Sequence, residues 1–344
     1  MINQTSRNYT LDILRAFAAF IVVVFHLNEP IPHIDNWYRN IVKLGWLGVP
    51  IFFVISGYCI MMSAFKTSNS KEFILKRFFR IFPPYWASLI IVLLAAVLQK
   101  IITGYNSVNF IPTNLQEILA NISLLTKPFS KIETINWVYW SLTYEWFFYM
   151  VIGIVLLLPY RFWMLALSMF TLISIFIPIS DSGFFFFFNH WPTFSLGLAV
   201  YAFHFLKGKE RLSYFFALAV LSIYGLVTNF ALKGQLEYAY VSIFTFVLIV
   251  VSPYISISQN IFTRLGDYSY AVYLLHVPIG IYLFGKLKTP FIQENIGWNI
   301  LYDLLNYSLC CIISYFFFRY IELPSMKMGK RFSKSNLKTQ ITIS

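Results

Sequence analysis

The sequence predicts an all-α membrane protein: about ten transmembrane helices around a central cavity, with both termini in the cytoplasm. Three observations predict it. Hydrophobic residues make up 58% of the 344-residue chain and charged residues only 12%, whereas a soluble domain carries about a quarter charged residues. The apolar residues come in runs of about 17–25, the length that spans a hydrocarbon core. The basic residues gather on alternate connections between these runs, the pattern that sets membrane orientation.

In chain order the spans fall near 11–28, 46–64, 84–100, 140–158, 162–179, 191–206, 213–231, 238–254, 268–285 and 299–320. Turn and polar signals separate them, such as Glu29-Pro30, Lys66 to Ser70, Ser180 to Gly183 and Lys207 to Glu210. The third and sixth spans are short or interrupted by proline. The Phe184–Phe188 run reads as an interfacial segment feeding the sixth span. Residues from about 101 to 139 are polar enough for an external loop or a partly re-entrant cap.

With the N-terminus inside, the cytoplasmic side holds Arg7, Arg15, Lys66, Lys71, Lys76, Arg77, Arg80, Arg161, Lys207, Lys209, Arg211, Arg264, Arg319, Lys327, Lys330, Arg331, Lys334 and Lys338, 18 of the 26 basic residues. The net charge of +12 therefore reads as topology, and no nucleic-acid recognition module accompanies it. The N-terminal apolar run is broken by Arg15 and followed by no small-residue cleavage site, so it reads as a retained first span. Cys59, Cys310 and Cys311 lie inside apolar runs and read as single buried thiols. No internal repeat is present, which weighs against a transporter of two similar halves. The domain reading is a membrane domain over 1–325 and a basic cytoplasmic tail over 326–344.

A charged residue inside an apolar run usually faces a partner or a watery cavity, because insertion of a centred charge is costly. The first span carries Asp12, Arg15 and His26. At 100° per residue, Arg15 and His26 are about 20° from a whole number of turns apart and Asp12 and His26 about 40°, so all three share a helix face. His26 lies roughly 16 Å from Arg15 along the axis. This reads as a cavity wall, or as a snorkelling Arg with a His closing the outer end near Asn28 and Glu29. In the second span, Gly48 and Gly57 read as close-packing positions. Arg77 and Arg80 are three apart and share a face if helical, which gives either a clamp for phosphate or positive-inside anchoring. Glu145 enters the fourth span near its external end, where it orients a histidine, takes a proton, or simply favours a helix N-terminus. The ninth span carries a second imidazole, His276, one turn beyond Tyr273 and six residues beyond Tyr270. His276 reads as a structural hydrogen-bonding residue or, with Tyr270, as a substrate contact. Arg319 and Glu322 are spaced to pair at the cytoplasmic boundary. There is no zinc signature, Walker loop, dinucleotide fingerprint or nucleophile elbow.

Taken in order, these pieces resemble the membrane-bound acyltransferase 3 family. They are Arg15-x10-His26, the Gly45–Gly57 segment with its Phe-Phe-Val-Ile-Ser-Gly core, Arg77-x-x-Arg80-Ile-x-Pro83, Trp140-Ser-Leu-x-x-Glu145, Leu265-Gly-x-x-Ser-Tyr270 leading to Tyr273-Leu-x-His276, and Glu322-x-Pro324. The resemblance covers roughly residues 9 to 325. It implies transfer of an acyl group, most often acetyl, from cytoplasmic acyl-coenzyme A to a hydroxyl of a surface or secreted carbohydrate or lipid-linked glycan at the cell (inner) membrane. It implies His26 as the leading catalytic residue with Arg15 in the same motif, Arg77 and Arg80 against the coenzyme A phosphates, and Glu145 as the matching acidic residue. Acetyl-coenzyme A would be a co-substrate, with no metal. Some members carry an external hydrolase-like domain after the tenth span; the absence of one here implies that transfer finishes within the membrane domain.

Elementary chemistry agrees with these roles. Paired guanidiniums suit the phosphates of a polyanionic donor. A neutral imidazole suits the removal of a hydroxyl proton, and Glu145 or Asp12 is a carboxylate that fixes its tautomer. A transient acyl-histidine is the other route, and Arg15 either stabilises the thioester oxyanion or holds the thioester. Two competing functions use the same residues: a proton-coupled transporter or flippase without group transfer, and a structural partner in an envelope assembly.

Overall fold

The computed structural model of the chain describes residues 7–29, 34–104, 108, 110–178 and 180–341, with side chains through Phe332. The expected boundaries at Pro30 and Ile179, residues 342–344 and the side chains of Lys334 and Lys338 lie outside the described residues. Every regular element among the described residues is helical. Ten apolar helices form the bundle: α1 (Tyr9–Asn28), α2 (Gly48–Phe65), α3 (Ser70–Thr103), α4 (Trp140–Val155), α5 (Trp163–Phe176), α6 (Trp191–Phe205), α7 (Gly208–Leu232), α8 (Leu236–Val251), α9 (Ser269–His276) and α10 (Ile296–Phe317).

Seven helical stretches among the described residues are long and apolar enough to cross a membrane, namely those containing α1, α2, α3, α4, α7, α8 and α10. Their outward faces expose large apolar side chains such as Ile90, Leu94, Ile101, Val220 and Leu232, which lipid solvates and water does not. The other three are shorter. The helix of α5 runs with its lead-in over Tyr160–Phe176, and α9 continues through a π-helical turn, Val277–Leu283. The third is α6, whose residues from Trp191 to Ala202 are all buried. It forms the core of the bundle rather than a lipid-facing span. The chain is a multi-pass membrane protein.

The third expected span is corrected. It is not short: α3 runs 34 residues and begins well before residue 84. Asn69 caps its start, accepting from the Glu72 backbone N–H, and Gly104 ends it with φ +69°. Proline inside a helix frees the carbonyl four residues back. For Pro83 that carbonyl is Phe79 O, and the Ser325 hydroxyl donates to it. The segment beyond α10 supplies this bond. It forms a helix, Leu323–Ile341, lying on α3, where Phe332 stacks on Phe79 at 5.5 Å.

Small residues set the closest approaches. A Cβ added at Gly57 would lie 2.0 Å from the Phe194 carbonyl oxygen, and one at Gly197 would lie 2.3 Å from that of Val54, so the backbones of α2 and α6 touch. Gly48 meets α1 in the same way, 2.6 Å from the Ala18 oxygen. Gly48 and Gly57 are thus packing positions, as their spacing predicts. The segment between α3 and α4 folds back into the bundle. Its short helix Leu115–Ser123 ends where the Asn121 carbonyl accepts from the Tyr85 hydroxyl and the Ile122 carbonyl from the Trp86 indole. Tyr85 lies about 27 Å before the end of α3, so this is the re-entrant form of the two expected. The Phe184–Phe188 run leads into α6, with Phe186, Phe187 and Phe188 buried.

Candidate active site

One cavity of about 130 Å³ opens between five helices. Arg15 enters it from α1, Ser56 and Cys59 from α2, Arg77 and Arg80 from α3, Ser141, Glu145 and Tyr149 from α4, and Tyr270 and Tyr273 from α9. Five of the seven residues singled out in the sequence therefore share one space. Arg77 and Arg80 both face it because three residues along a continuous helix return to nearly the same side. They could do so only once α3 extended back through Pro83.

The three guanidiniums of this cavity are paired unequally. Its lining carries three guanidiniums and one carboxylate. Arg15 lies 3.3 Å from Asp12 and 3.1 Å from the Cys59 sulfur, and Asp12 is shared with Arg7 at 2.7 Å. Arg80 pairs with buried Glu322 and lies over the Tyr270 ring at 5.4 Å. Arg77 has no carboxylate partner among the described residues. It donates to the Ser63 hydroxyl at 2.6 Å, lies 5.7 Å from the Tyr149 ring centre, and keeps a buried Nε without a partner. Glu145 accepts from the Tyr149 hydroxyl and, at 3.3 Å, from Ser56.

His26 and His276 lie apart from this lining and next to each other, their rings 5.3 Å apart. The Nδ1 of His26 is 2.8 Å from a Glu29 carboxylate oxygen. A carboxylate only accepts, so Nδ1 carries the hydrogen and the neutral ring offers a lone pair at Nε2. His276 Nδ1 is 2.7 Å from the Tyr273 carbonyl oxygen and 3.3 Å from that of Val272, which fixes the same tautomer. Tyr273 joins the two regions. It lines the cavity, its hydroxyl meets Ser141 at 2.8 Å, and its ring is 5.8 Å from His276.

Two expected pairings are corrected. The carboxylate that orients His26 is Glu29, not Glu145 or Asp12. Asp12 is about 21 Å away along α1 and pairs with Arg7 and Arg15, while Glu145 bonds Ser56 and Tyr149. Glu322 pairs with Arg80 rather than Arg319. Residues 318–322 form a π-helical turn, whose wider winding removes the alignment of positions three apart. Sequence reasoning also missed Tyr149, although it lies one turn beyond Glu145, and it left Cys59 as a plain buried thiol. No group of three His, Cys, Asp or Glu residues that could hold a metal occurs among the described residues.

Comparison with known proteins bears on this arrangement. The family model of the acyltransferase domain, Acyl_transf_3, matches residues 8–318. The ORF330 protein of Acidianus two-tailed virus is 24% identical over 288 residues, covering 77% of this chain and 81% of its own length. The peptidoglycan O-acetyltransferase OatA of Listeria monocytogenes is 27% identical over 380 aligned positions, covering 94% of this chain and 57% of the longer relative. The O-acetyl transferase of Shigella phage Sf6 is 26% identical over 297 residues, covering 78% of this chain and 83% of its own. No solved structure matches the chain. The family match spans nine-tenths of the sequence and every helix that lines the cavity, so the chain belongs to the acyltransferase 3 family and is a membrane acyltransferase.

Proposed function

We propose that the protein transfers an acyl group, acetyl in particular, from cytoplasmic acyl-coenzyme A to a hydroxyl of a surface or secreted carbohydrate across the cell (inner) membrane, with His26 as general base. The observation that carries this reading is Arg77, which faces the cavity with no carboxylate partner among the described residues, whereas Arg15 and Arg80 are paired with Asp12 and Glu322. A part-buried guanidinium without a carboxylate beside it is stabilised by an anion that joins it. The concentration of basic residues on alternate connections supports a cytoplasmic mouth for this cavity. At about 130 Å³ the cavity is smaller than the roughly 300–1,000 Å³ of sites that enclose a whole small molecule. It suits the acyl end of a donor whose phosphates remain at the mouth, where Arg77 and Arg80 offer bidentate donors.

The chemistry follows from the tautomer. The Nε2 lone pair of His26 takes the proton of the acceptor hydroxyl as its oxygen attacks the thioester carbon. The carbon–sulfur bond breaks and the sulfur leaves as the thiol, receiving that proton. Glu29 holds the imidazole and favours its protonated form in the transition state. Arg15, bonded to Asp12 and Cys59 roughly 16 Å from His26 along α1, holds the donor in the cavity rather than the reacting carbonyl. The Listeria and Shigella phage relatives are both named as O-acetyltransferases, which supports the acetyl group and the hydroxyl acceptor.

The test is release of free coenzyme A from acetyl-coenzyme A by the purified protein in the presence of glycan acceptor. His26→Ala should lower the rate about 10²–10⁴-fold and leave donor affinity within twofold. A His26→Ala protein with wild-type turnover removes His26 from the chemistry. Wild-type protein that binds no acyl-coenzyme A at all overturns the donor.

A further inference from the structure

Four rings meet around the end of α1. Trp137 lies edge-on to both His26, at 6.3 Å, and Tyr282, at 6.0 Å, and His276 closes on His26 at 5.3 Å. Two polar atoms of this group have no hydrogen-bond partner among the described residues: His276 Nε2 and the Tyr282 hydroxyl. Both side chains are only 1% exposed. Buried polar atoms are almost always paired, so each orphan calls for an explanation.

Their chemistry is specific. His26 and His276 have both committed Nδ1–H, one to Glu29 and the other to backbone carbonyls. Each neutral ring is left with an acceptor at Nε2. Two acceptors cannot satisfy one another, so each requires its own hydrogen donor. The Tyr282 hydroxyl can donate or accept. Neither donor within the group, the Tyr282 hydroxyl or the Trp137 indole N–H, is bonded to a ring nitrogen among the described residues, and the indole also offers an apolar face.

We propose that His26, His276, Tyr282 and Trp137 form the acceptor subsite, and that it selects a hydroxyl flanked by a second hydrogen donor on the next carbon. A vicinal diol or an acetamido alcohol of a sugar ring has that pattern. This rests on the acyltransferase reading with His26 as base. The reacting hydroxyl donates to His26 Nε2 and gives up its proton there as its oxygen bonds to the acyl carbon and the thioester carbon–sulfur bond breaks. The neighbouring hydroxyl or amide donates to His276 Nε2, exchanges no atoms, and fixes which hydroxyl faces the base. Tyr282 bonds a further sugar oxygen, and Trp137 packs against the C–H face of the ring. His276 and Tyr282 are specificity residues; neither moves the transferred group.

The experiment uses the full-length purified protein with acetyl-coenzyme A and two probes, methyl N-acetylglucosaminide and methyl rhamnoside, each beside analogues lacking one hydroxyl or the acetamido group. For wild type, kcat/KM should fall at least about tenfold when the donor next to the acetylated hydroxyl is deleted. In His276→Ala the intact probe should already be slow, and the same deletion should cost no more than about twofold further, because the shared contact is gone. Tyr282→Phe, which keeps the ring, should raise acceptor KM about fivefold and leave the acetyl-coenzyme A affinity unchanged. If His276→Ala does not fold, the wild-type deletion series and Tyr282→Phe decide alone. A deletion penalty of undiminished size in His276→Ala overturns the pairing. No penalty in wild type means that water alone satisfies both rings, and it overturns the selectivity. Failure of both sugars as acceptors and as competitors, with acetyl-coenzyme A still bound, overturns the subsite and leaves the donor reading standing. Failure to bind the donor would instead defeat the functional reading beneath it.

Discussion

Two clusters of charge sit at different levels of the bundle, one buried and one partly exposed, and they are built in opposite ways. In the cluster at the end of α1, Lys288 donates to Asp303 at 2.7 Å, to the Asn28 side chain at 2.9 Å and to the Leu27 carbonyl at 3.1 Å. The other oxygen of Asp303 accepts from Asn28 at 2.6 Å and from Tyr38 at 2.7 Å. Every ammonium hydrogen and both carboxylate oxygens are used, and the side chains are 4% and 1% exposed. Burial pulls the Lys288 pKa below its ordinary value of 10.5, and Asp303 pulls it back. In the cavity cluster Arg15 and Arg80 have carboxylate partners, Asp12 and Glu322, and Arg77 has none among the described residues. The lesson is that buried charge alone does not mark a functional site. A saturated pair is a clamp, here joining the end of α1 that carries His26 to α10. An unsaturated cluster has a charge left for a ligand, the role proposed for Arg77.

That difference can be broken experimentally. The largest expected effect is on the clamp. Lys288→Met leaves Asp303 buried without its cation and should cost about 3–5 kcal/mol of stability, whereas Lys288→Met with Asp303→Leu should recover most of the loss. Thermal unfolding in detergent checks both. If Lys288→Met unfolds like wild type, the saturated pair is not a clamp. A smaller effect should separate the two arginines of α3. Arg80→Ala strands Glu322, which is fully buried, but Arg80 itself is partly exposed. A loss of about 1–3 kcal/mol is expected. Arg77→Ala strands only the Ser63 hydroxyl and should stay within about 1 kcal/mol of wild type. Equal destabilisation by the two changes would mean that Arg77 is structural after all.

Much of the fold was legible because membrane insertion leaves a coarse signal. Apolar runs and their basic flanks located all ten helices, and small residues marked the contacts of α1 and α6 with α2. What could not be read was set by tertiary contact. The expected third span began at residue 84, whereas Pro83 lies inside α3, and the Ser325 hydroxyl, far along the chain, takes the carbonyl that Pro83 frees. The length of α6 reflects its burial on every side, which hydropathy does not distinguish from a span. At the site, single-helix spacing grouped Asp12, Arg15 and His26 on one face but could not tell that Arg15 lines the cavity while His26 meets a second imidazole. The partner of Glu322 was missed because a π turn breaks the spacing rule on which the expectation rested. Glu29 was visible beside His26, but as an end residue rather than the group that sets its tautomer.

The central claim is that the cavity is an anion receptor for the acyl donor, and titration calorimetry of acetyl-coenzyme A into wild type and Arg77→Ala tests it most directly. Wild type should bind saturably and Arg77→Ala at least about tenfold more weakly, with unfolding temperatures within a few degrees of each other. Equal affinity in the two folded proteins would contradict it.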